Sequence, residues 1–168
     1  GLTLRNFHFF GELAHSSFES VALISGLILT VDPKTHLNIS YRNYNRNYAT
    51  SYSSAFSENT NPSNEKGLFT SMTFRINRMI SLSLYIDFYR FPWLKYQVSF
   101  TSWGMDRFSD LHLRFNKKTS FNLRLRMKEK QRNNSHDENT ISKIANTSKI
   151  QMRAQLIFQV HENLRLRS

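Results

Sequence analysis

The side chains with the clearest chemical potential in this sequence are cations that occur at every second position of several runs. Within residues 119–130, Arg124, Arg126 and Lys128 alternate with leucine and methionine. Side chains two apart on an extended strand point to the same face. The same spacing predicts that further cations share this face: Arg42, Arg75, Arg114, Arg153, Arg165 and Arg167. Such a surface concentrates anions, so binding or passage of an anionic solute or polymer is one function that it offers.

Carboxylates offer a second interpretation of the same cations. Acidic side chains occur at Glu12, Asp87, Asp106 and Asp110. Ion pairs with these acids, or with acids of strands beyond this segment, would neutralise the arginines and leave them a structural role. Both interpretations stay open on the sequence, and we favour the pairing.

Patterns for catalysis or metal binding are not found in the sequence. It contains no nucleophile elbow, no HExxH motif and no phosphate-binding P-loop. Cysteine is absent, which excludes disulfides and thiolate metal sites. The histidines are scattered without metal-ligand spacing. We therefore predict no enzymatic activity, no cofactor and no metal.

Aromatic side chains in two connecting segments are candidate docking elements. They are Phe91, Pro92, Trp93, Tyr44, Tyr48 and Tyr52. Phe91, Pro92 and Trp93 could form an exposed element that docks a partner protein. We favour the alternative that Pro92 ends a strand and that the two rings anchor this strand end at the membrane–water interface. The tyrosines recur every four residues among asparagine and arginine, where they can stack bases or sugars or fold their loop onto the rim of a barrel.

Composition restricts the class of protein. The chain has 23 Lys+Arg against 12 Asp+Glu, for a net charge of +11, which suits nucleic acid, an anionic surface or an anionic solute as partner. Its aromatic content of 14% is too high for a disordered basic tail. A length of 168 residues is that of one domain. No window contains the roughly 20 apolar residues that a spanning helix requires.

The elements that must position these residues are β-strands. From Leu68 to Phe88, apolar and polar side chains alternate on both sides of a short turn at residues 77–79. This pattern predicts a β-hairpin with one apolar and one polar face. Similar alternation elsewhere predicts about eight strands in an antiparallel up-and-down meander. The first run, residues 2–13, changes phase near Asn6, and we expect a β-bulge there.

The connections between these strands alternate in length. Short turns are predicted at 32–35, 77–79, 116–118 and 161–163, and long loops at 45–66, 90–105 and 131–147. In a meander, alternate connections lie at the same end of the sheet. Short turns at one end, long loops at the other and strands of about ten residues are typical of a transmembrane β-barrel.

Alternation alone does not tell whether the apolar face points to a soluble core or to lipid. Strand length favours lipid, since soluble strands average about 5–6 residues and membrane strands 9–11. Aromatic residues near strand ends, such as Tyr41, Phe88 and Trp93, suit membrane interfaces. We therefore predict an all-β fold in which residues 1–168 form one segment of a transmembrane β-barrel with a basic lumen. The alternating runs at both ends of the sequence predict a fragment of a larger barrel.

Three stretches carry a resemblance to a known family: GELAHSS (11–17), VDPKTHLNISYRNYNRNYATSYSSAFSENTNPSNEKGLF (31–69) and DFYRFPWLKYQV (87–98). They resemble Bacteroidota outer-membrane β-barrels, in particular the C-terminal barrel region of proteins with helix-hairpin-helix (ComEA-like) segments. The resemblance implies a location in the bacterial outer membrane, with its lipid bilayer and other envelope proteins as partners. It also implies a structural or transport role, in an envelope transport or DNA-handling complex. It supplies no reaction.

A soluble all-β nucleic-acid-binding module is the alternative prediction. The net charge of +11 and the interleaved tyrosines and arginines would then bind single strands. That alternative requires the leucines, methionines and phenylalanines of the alternating runs to form a buried core.

Overall fold

The structure is one antiparallel β-sheet. The computed structural model describes residues 1–16, 20–49, 55–96, 98–133, 144–161 and 164–167, with side chains as far as Gln159. The strands are β1 (Leu2–Leu4), β2 (Phe7–Ser16), β3 (Ser20–Asp32), β4 (Thr35–Tyr44), β5 (Glu65–Arg75), β6 (Ile80–Phe91), β7 (Ser102–Arg114), β8 (Thr119–Asn133), β9 (Ile144–His161) and β10 (Leu164–Arg167). Their spatial order is their sequence order. The predicted all-β antiparallel meander is confirmed.

The expected bulge near Asn6 is wrong, because the chain reverses direction there. Leu4 pairs with Phe7 across a turn in which Arg5 has a φ of 50°. A two-residue turn with positive φ matches the twist of a hairpin. The phase change in the sequence therefore marks the turn between β1 and β2, and it contributes to a count of ten strands.

Three of the four predicted short turns, at 32–35, 77–79 and 116–118, lie where the sequence predicts them, and each of these three is fixed by a side-chain oxygen. Asp32, Asn77 and Asn116 accept hydrogen bonds from backbone N–H groups two or three residues further along, at 2.6 to 2.8 Å. Asp and Asn stabilise turns in this way. The predicted turn at 161–163 lies largely outside the described residues.

The long connections are shorter than predicted, because the strands extend into them. β6 continues to Phe91 and β7 begins at Ser102, so the predicted loop 90–105 shortens to residues 92–101. β5 begins at Glu65, inside the predicted loop 45–66. β8 and β9 extend to Asn133 and from Ile144, and residues 134–143 between them lie outside the described part.

The strand register divides the sheet into two faces. We call the polar face the set of alternate residues in register with Arg42, Gly67, Tyr89, Gly104 and Lys130, and the apolar face the set between them. The buried strand side chains lie on the polar face: Ser16, Ser20, Ala22, Ser40, Arg42, Tyr44, Glu65, Asp87, Tyr89, Phe91, Ser102 and Asp106. Exposed large side chains of the apolar face include Leu68, Leu84, Ile86, Phe88, Leu125, Met127, Ile150, Met152, Leu156 and Phe158.

The described strands form an open sheet. β1 and β10 are its edges, and each described strand contacts only its neighbours in the sequence order. Closure into a barrel is therefore not present among these strands. No helix in the described part of the chain is long and apolar enough to cross a membrane.

Candidate functional site

A buried arginine joins three neighbouring strands on the polar face. Arg42 on β4 is 1% exposed, and its Nε donates to the Glu65 carboxylate on β5 at 2.6 Å. Its terminal nitrogens donate to both oxygens of Asp87 on β6, at 2.7 and 3.1 Å. A planar guanidinium suits this two-pronged geometry, and charge-assisted hydrogen bonds of this kind are about twice as strong as neutral ones. The arrangement compensates the charge that folding removes from water.

A glycine makes room for this arginine. Gly67 on β5 is the register partner of Arg42, and a Cβ atom there would lie 2.6 Å from Arg42 Nε. Without a side chain on β5, the guanidinium passes over that strand to reach Asp87 on β6. Gly104 on β7 serves Tyr89 in the same way, since a Cβ atom there would lie 2.5 Å from the tyrosine ring. Close approach of this kind is a recurrent reason for glycine inside a strand.

The second described part of the connection between β4 and β5, residues 55–64, folds over the arginine. The Glu65 carboxylate accepts hydrogen bonds from the backbone N–H of Glu58 at 3.0 Å and of Asn59 at 3.3 Å. The Phe56 ring lies 4.7 Å from the Arg42 guanidinium, and the Tyr44 hydroxyl donates to the Phe56 carbonyl at 2.8 Å. The connection therefore covers the polar face at the long-loop end of the sheet.

Further ion pairs extend the network across the sheet to β8. Glu58 accepts a hydrogen bond from Lys128 Nζ at 2.7 Å. Asp106 on β7 accepts from Arg126 Nε at 3.0 and 3.1 Å, and Asp110 accepts from Arg124 Nε at 3.3 Å. A charge network thus follows the polar face from β4 to β8. It includes Arg42, Glu65, Asp87, Asp106, Arg126, Glu58 and Lys128.

Positive charge is in excess at the β8–β9 pair. Arg124 faces Arg153, and Lys128 faces Lys149, in direct cross-strand register. Like charges opposite each other destabilise a sheet. Arg153 and Lys149 are exposed, and neither has an ion pair within the described residues. Acids pair with Arg42 on β4 and with Arg124, Arg126 and Lys128 on β8, whereas Lys149 and Arg153 of β9 have no matching acids among the described residues.

Most of the predicted basic residues lie on the polar face. They are Arg42, Arg75, Arg114, Arg124, Arg126, Lys128 and Arg153. Arg75 and Arg114 lie near the short-turn end and have no ion pair in the part of the chain that the structure describes. Arg165 and Arg167 belong to β10, but their side chains lie outside the described residues.

The predicted acidic residues divide into two groups. Asp87, Asp106 and Asp110 make the ion pairs given above. Glu12 is exposed and, with Tyr48, lines a cavity of about 250 Å³, without an ion pair to any described residue. Two functional carboxylates, Glu58 and Glu65, were not predicted. Extending the alternation back from Gly67 would have placed Glu65 on the polar face.

The aromatic residues of the connections have different environments. Phe91 is 1% exposed on the polar face, so the expectation that its ring anchors or docks at an exposed interface is wrong. β6 runs through position 91, and the alternation turns this ring toward the covered face. Trp93 is exposed, and its backbone exchanges two hydrogen bonds of 2.9 Å with the Asn64 side chain. Pro92 lies beside it, half-buried.

The two described tyrosines of this set, Tyr44 and Tyr48, lie at or near the covered end of the polar face. Tyr44 is 4% exposed, with its hydroxyl bonded to the connection that covers Arg42. Tyr48 is half-buried and lines the same cavity as Tyr44. Tyr52 lies outside the described residues. The Tyr44 contact supports the interpretation in which tyrosines fold the loop onto the sheet.

A lysine in the β6–β7 connection is held close to this covered end. Lys95 Nζ lies 3.3 Å from the centroid of the Phe91 ring. Burial is the largest cause that lowers the pKa of Lys95 from 10.5 to about 8, and repulsion from Lys130 and Arg132 adds to it against the attraction of Glu58 and Glu65.

Among the described residues, no group of three or more His, Cys, Asp or Glu side chains could hold a metal ion. No protein-family model, no curated protein and no solved structure matches the chain. The function of the polar face is therefore inferred from its own geometry.

Proposed function

We propose that this chain is part of a bacterial outer-membrane β-barrel whose polar face lines a basic lumen. Its role is structural or transport-related, within an envelope assembly, and involves no catalysis. The distribution of exposure carries the proposal. Arg42 and Glu65 on the polar face are 1% and 0% exposed, whereas Leu68 and Ile86 on the apolar face are 47% and 45% exposed. A soluble domain buries the opposite set.

The apolar face has the composition of a lipid-facing surface. Leucine, isoleucine, methionine and phenylalanine continue across β5 and β6 and across β8 and β9. On β7 between them, Met105 and Leu111 continue the band and Arg107 and Ser109 interrupt it. Exposed apolar areas of this extent are rare on soluble monomers, where the largest patch is about 300–600 Å². Acyl chains are the environment in which such a band is stable.

Membrane extraction tests the proposal. The protein is expected to stay with the membrane fraction through washes with high salt and with alkaline carbonate, and to dissolve only in detergent. A Lys34→Gln variant, altered only in an exposed turn, is prepared in parallel to measure how much protein is lost during the washes. Release into salt buffer as a compact monomer would rule out the lipid-facing sheet.

The unpaired cations of β9 support an anionic solute or polymer as the occupant of the lumen. Because Arg153 and Lys149 have no described acidic partner and face Arg124 and Lys128, a bound anion would relieve their repulsion. Polyphosphate is a suitable probe in a filter-binding assay with detergent-solubilised protein. The R153Q/K149Q variant should bind it more weakly and with a shallower salt dependence, by about one unit of log–log slope per lost contact. The K34Q/K117Q variant, which removes two charges from exposed turns, is the control.

The soluble nucleic-acid-binding module remains the second candidate, because the same β8–β9 cations would also bind a single strand. It predicts that a single-stranded oligonucleotide binds to protein that needs no detergent. If binding requires the detergent-solubilised protein and prefers polyphosphate to the oligonucleotide, the module is excluded.

A further inference from the structure

Two cations on the apolar face have no counterion. Lys66 on β5 and Arg90 on β6 are direct register partners, and both are exposed. Neither is in an ion pair within the described ranges. Two like charges opposite each other on neighbouring strands raise the free energy of the sheet. An anion between them would remove that cost.

Aromatic and apolar side chains lie next to this pair, in the same row of the strand register and in the next row toward the middle of the strands. Trp103 on β7 is the register partner of Arg90, and Tyr41, Leu68 and Phe88 form the next row. Together with the cations, these side chains border a shallow depression of about 510 Å³. A fitting ligand therefore has an anionic group at one end and an apolar body at the other.

The third cation of the apolar face is neutralised. Arg107 on β7 is the register partner of Ile86, four residues along β6 from Arg90, and so lies about 13 Å deeper in the apolar band. Its Nη2 lies 3.4 Å from a Glu129 oxygen. The cation inside the band has an internal partner, whereas the two at its border do not. This contrast is expected if the border cations meet an external anion.

We propose that Lys66 and Arg90 bind the headgroup of an anionic phospholipid, in which no headgroup cation offsets the phosphate, and that its acyl chains lie along Leu68 and Phe88. The inference rests on the proposed function, since a lipid reaches this surface only if the apolar face lies in the bilayer. Two positive charges complement a phosphate. Trp103 and Tyr41 have the amphipathic rings that settle at headgroup depth. The site lies at the long-loop end of the strands, and we assign it to the leaflet on that side.

Native mass spectrometry in a neutral detergent tests the assignment. The probes are phosphatidylglycerol and phosphatidylcholine with identical acyl chains. The unaltered protein should bind the first phosphatidylglycerol molecule roughly tenfold more tightly than phosphatidylcholine. The K66Q/R90Q variant should lose that preference, while K66R/R90K, which keeps both charges, should retain most of it. The K34Q/K117Q variant, changed in turns at the opposite end, should behave as the unaltered protein.

Two results would overturn the assignment. Equal binding of both lipids by the unaltered protein would mean that the lysine and arginine only reach toward water at the bilayer surface. Displacement of bound phosphatidylglycerol by an equal concentration of inorganic phosphate would make free phosphate, not lipid, the ligand. Failure of the proposed function is a separate outcome, because the protein would then associate with vesicles of neither lipid.

Discussion

At the scale of single residues, Arg42 has the most demanding environment in the molecule. It is buried with two carboxylates, and removing one member of such a group leaves uncompensated charge at a cost of about 3–5 kcal/mol. We expect Arg42→Ala to lower the free energy of unfolding by about that amount, measured by urea titration in lipid vesicles. Arg75→Ala removes an exposed cation of the same face and is the control. Equal stability of the two variants would show that the network contributes nothing.

Gly67 is a steric test of the same arrangement. A methyl group at this position meets the Arg42 guanidinium, which is held by hydrogen bonds on two sides. Gly67→Ala should therefore destabilise the protein by about 1–3 kcal/mol, the range for overpacking. Gly11→Ala is the matched control, because the nearest atom to its Cβ would be 3.6 Å away. If the control loses as much stability as Gly67→Ala, the close approach of Arg42 is not the cause.

The lowered pKa of Lys95 predicts how its reactivity and the free energy of unfolding depend on pH. Its pKa of about 8 means that the neutral, nucleophilic amine forms well below the ordinary value of 10.5. Acetylation of Lys95, followed by peptide mass spectrometry, should reach half of its maximal rate near pH 8. Between pH 8 and 10.5 the unfolded chain binds the additional proton, so the free energy of unfolding rises with pH in this window.

The K130Q/R132Q variant separates the causes of the Lys95 shift. Removing these two cations should raise the pKa of Lys95, while its burial keeps it below 10.5. A midpoint at 10.5 in the unaltered protein would contradict the burial of Lys95. A midpoint that lies higher in the unaltered protein than in the variant would contradict the repulsion from Lys130 and Arg132.

The face of the sheet on which each cation lies could be predicted from the sequence, but the ion-pair partners of the cations could not. Alternation gives the face of Arg42, Arg124 and Arg126 because a strand has a period of two. It does not give the position of Glu58, which lies in an irregular connection and reaches Lys128 on a distant strand. Such a contact depends on how the connection folds over the sheet, and no local pattern encodes that path.

At the scale of elements, the Glu65 carboxylate is one of the groups that hold the β4–β5 connection on the polar face. Glu65 accepts backbone N–H groups of Glu58 and Asn59 in addition to its pair with Arg42. We expect Glu65→Gln to weaken this attachment and to increase proteolytic cleavage within residues 55–64 several-fold. Glu12→Gln changes an exposed carboxylate of the same face and should leave the cleavage rate unchanged. Equal cleavage in the two variants would show that Glu65 does not hold the connection.

Strands and turns were the most predictable elements, since their signals are local. Alternation locates the β5–β6 hairpin, and Asp32, Asn77 and Asn116 mark the turns. The end of β8 was missed because residues 128–133 are all polar and give no apolar contrast, and the end of β6 because the contrast reverses there, with Arg90 on the apolar face and Phe91 on the polar face. The phase change near Asn6 was ambiguous for a physical reason. A bulge and a two-residue turn both shift the period by one position.

At the scale of the whole molecule, the account rests on the direction in which the two faces point. The sheet is covered on its polar face by its own connection and carries its exposed leucines, isoleucines and phenylalanines on the other. Alternation predicts two faces and leaves the environment of each undetermined. The exposed fractions of the side chains on the two faces, compared over several neighbouring strands, carry that information. They support contact between the apolar face and lipid.

Site-directed labelling tests this directly, because the chain has no cysteine. Single cysteines at Ile86 and Leu125 on the apolar face, and at Ser83 and Asn122 on the polar face, would each carry a small fluorophore in vesicles containing lipids with brominated acyl chains. We predict strong quenching at positions 86 and 125 and little at 83 and 122. Quenching at 83 and 122 instead, or at none of the four positions, would contradict the lipid-facing orientation on which the proposed function depends.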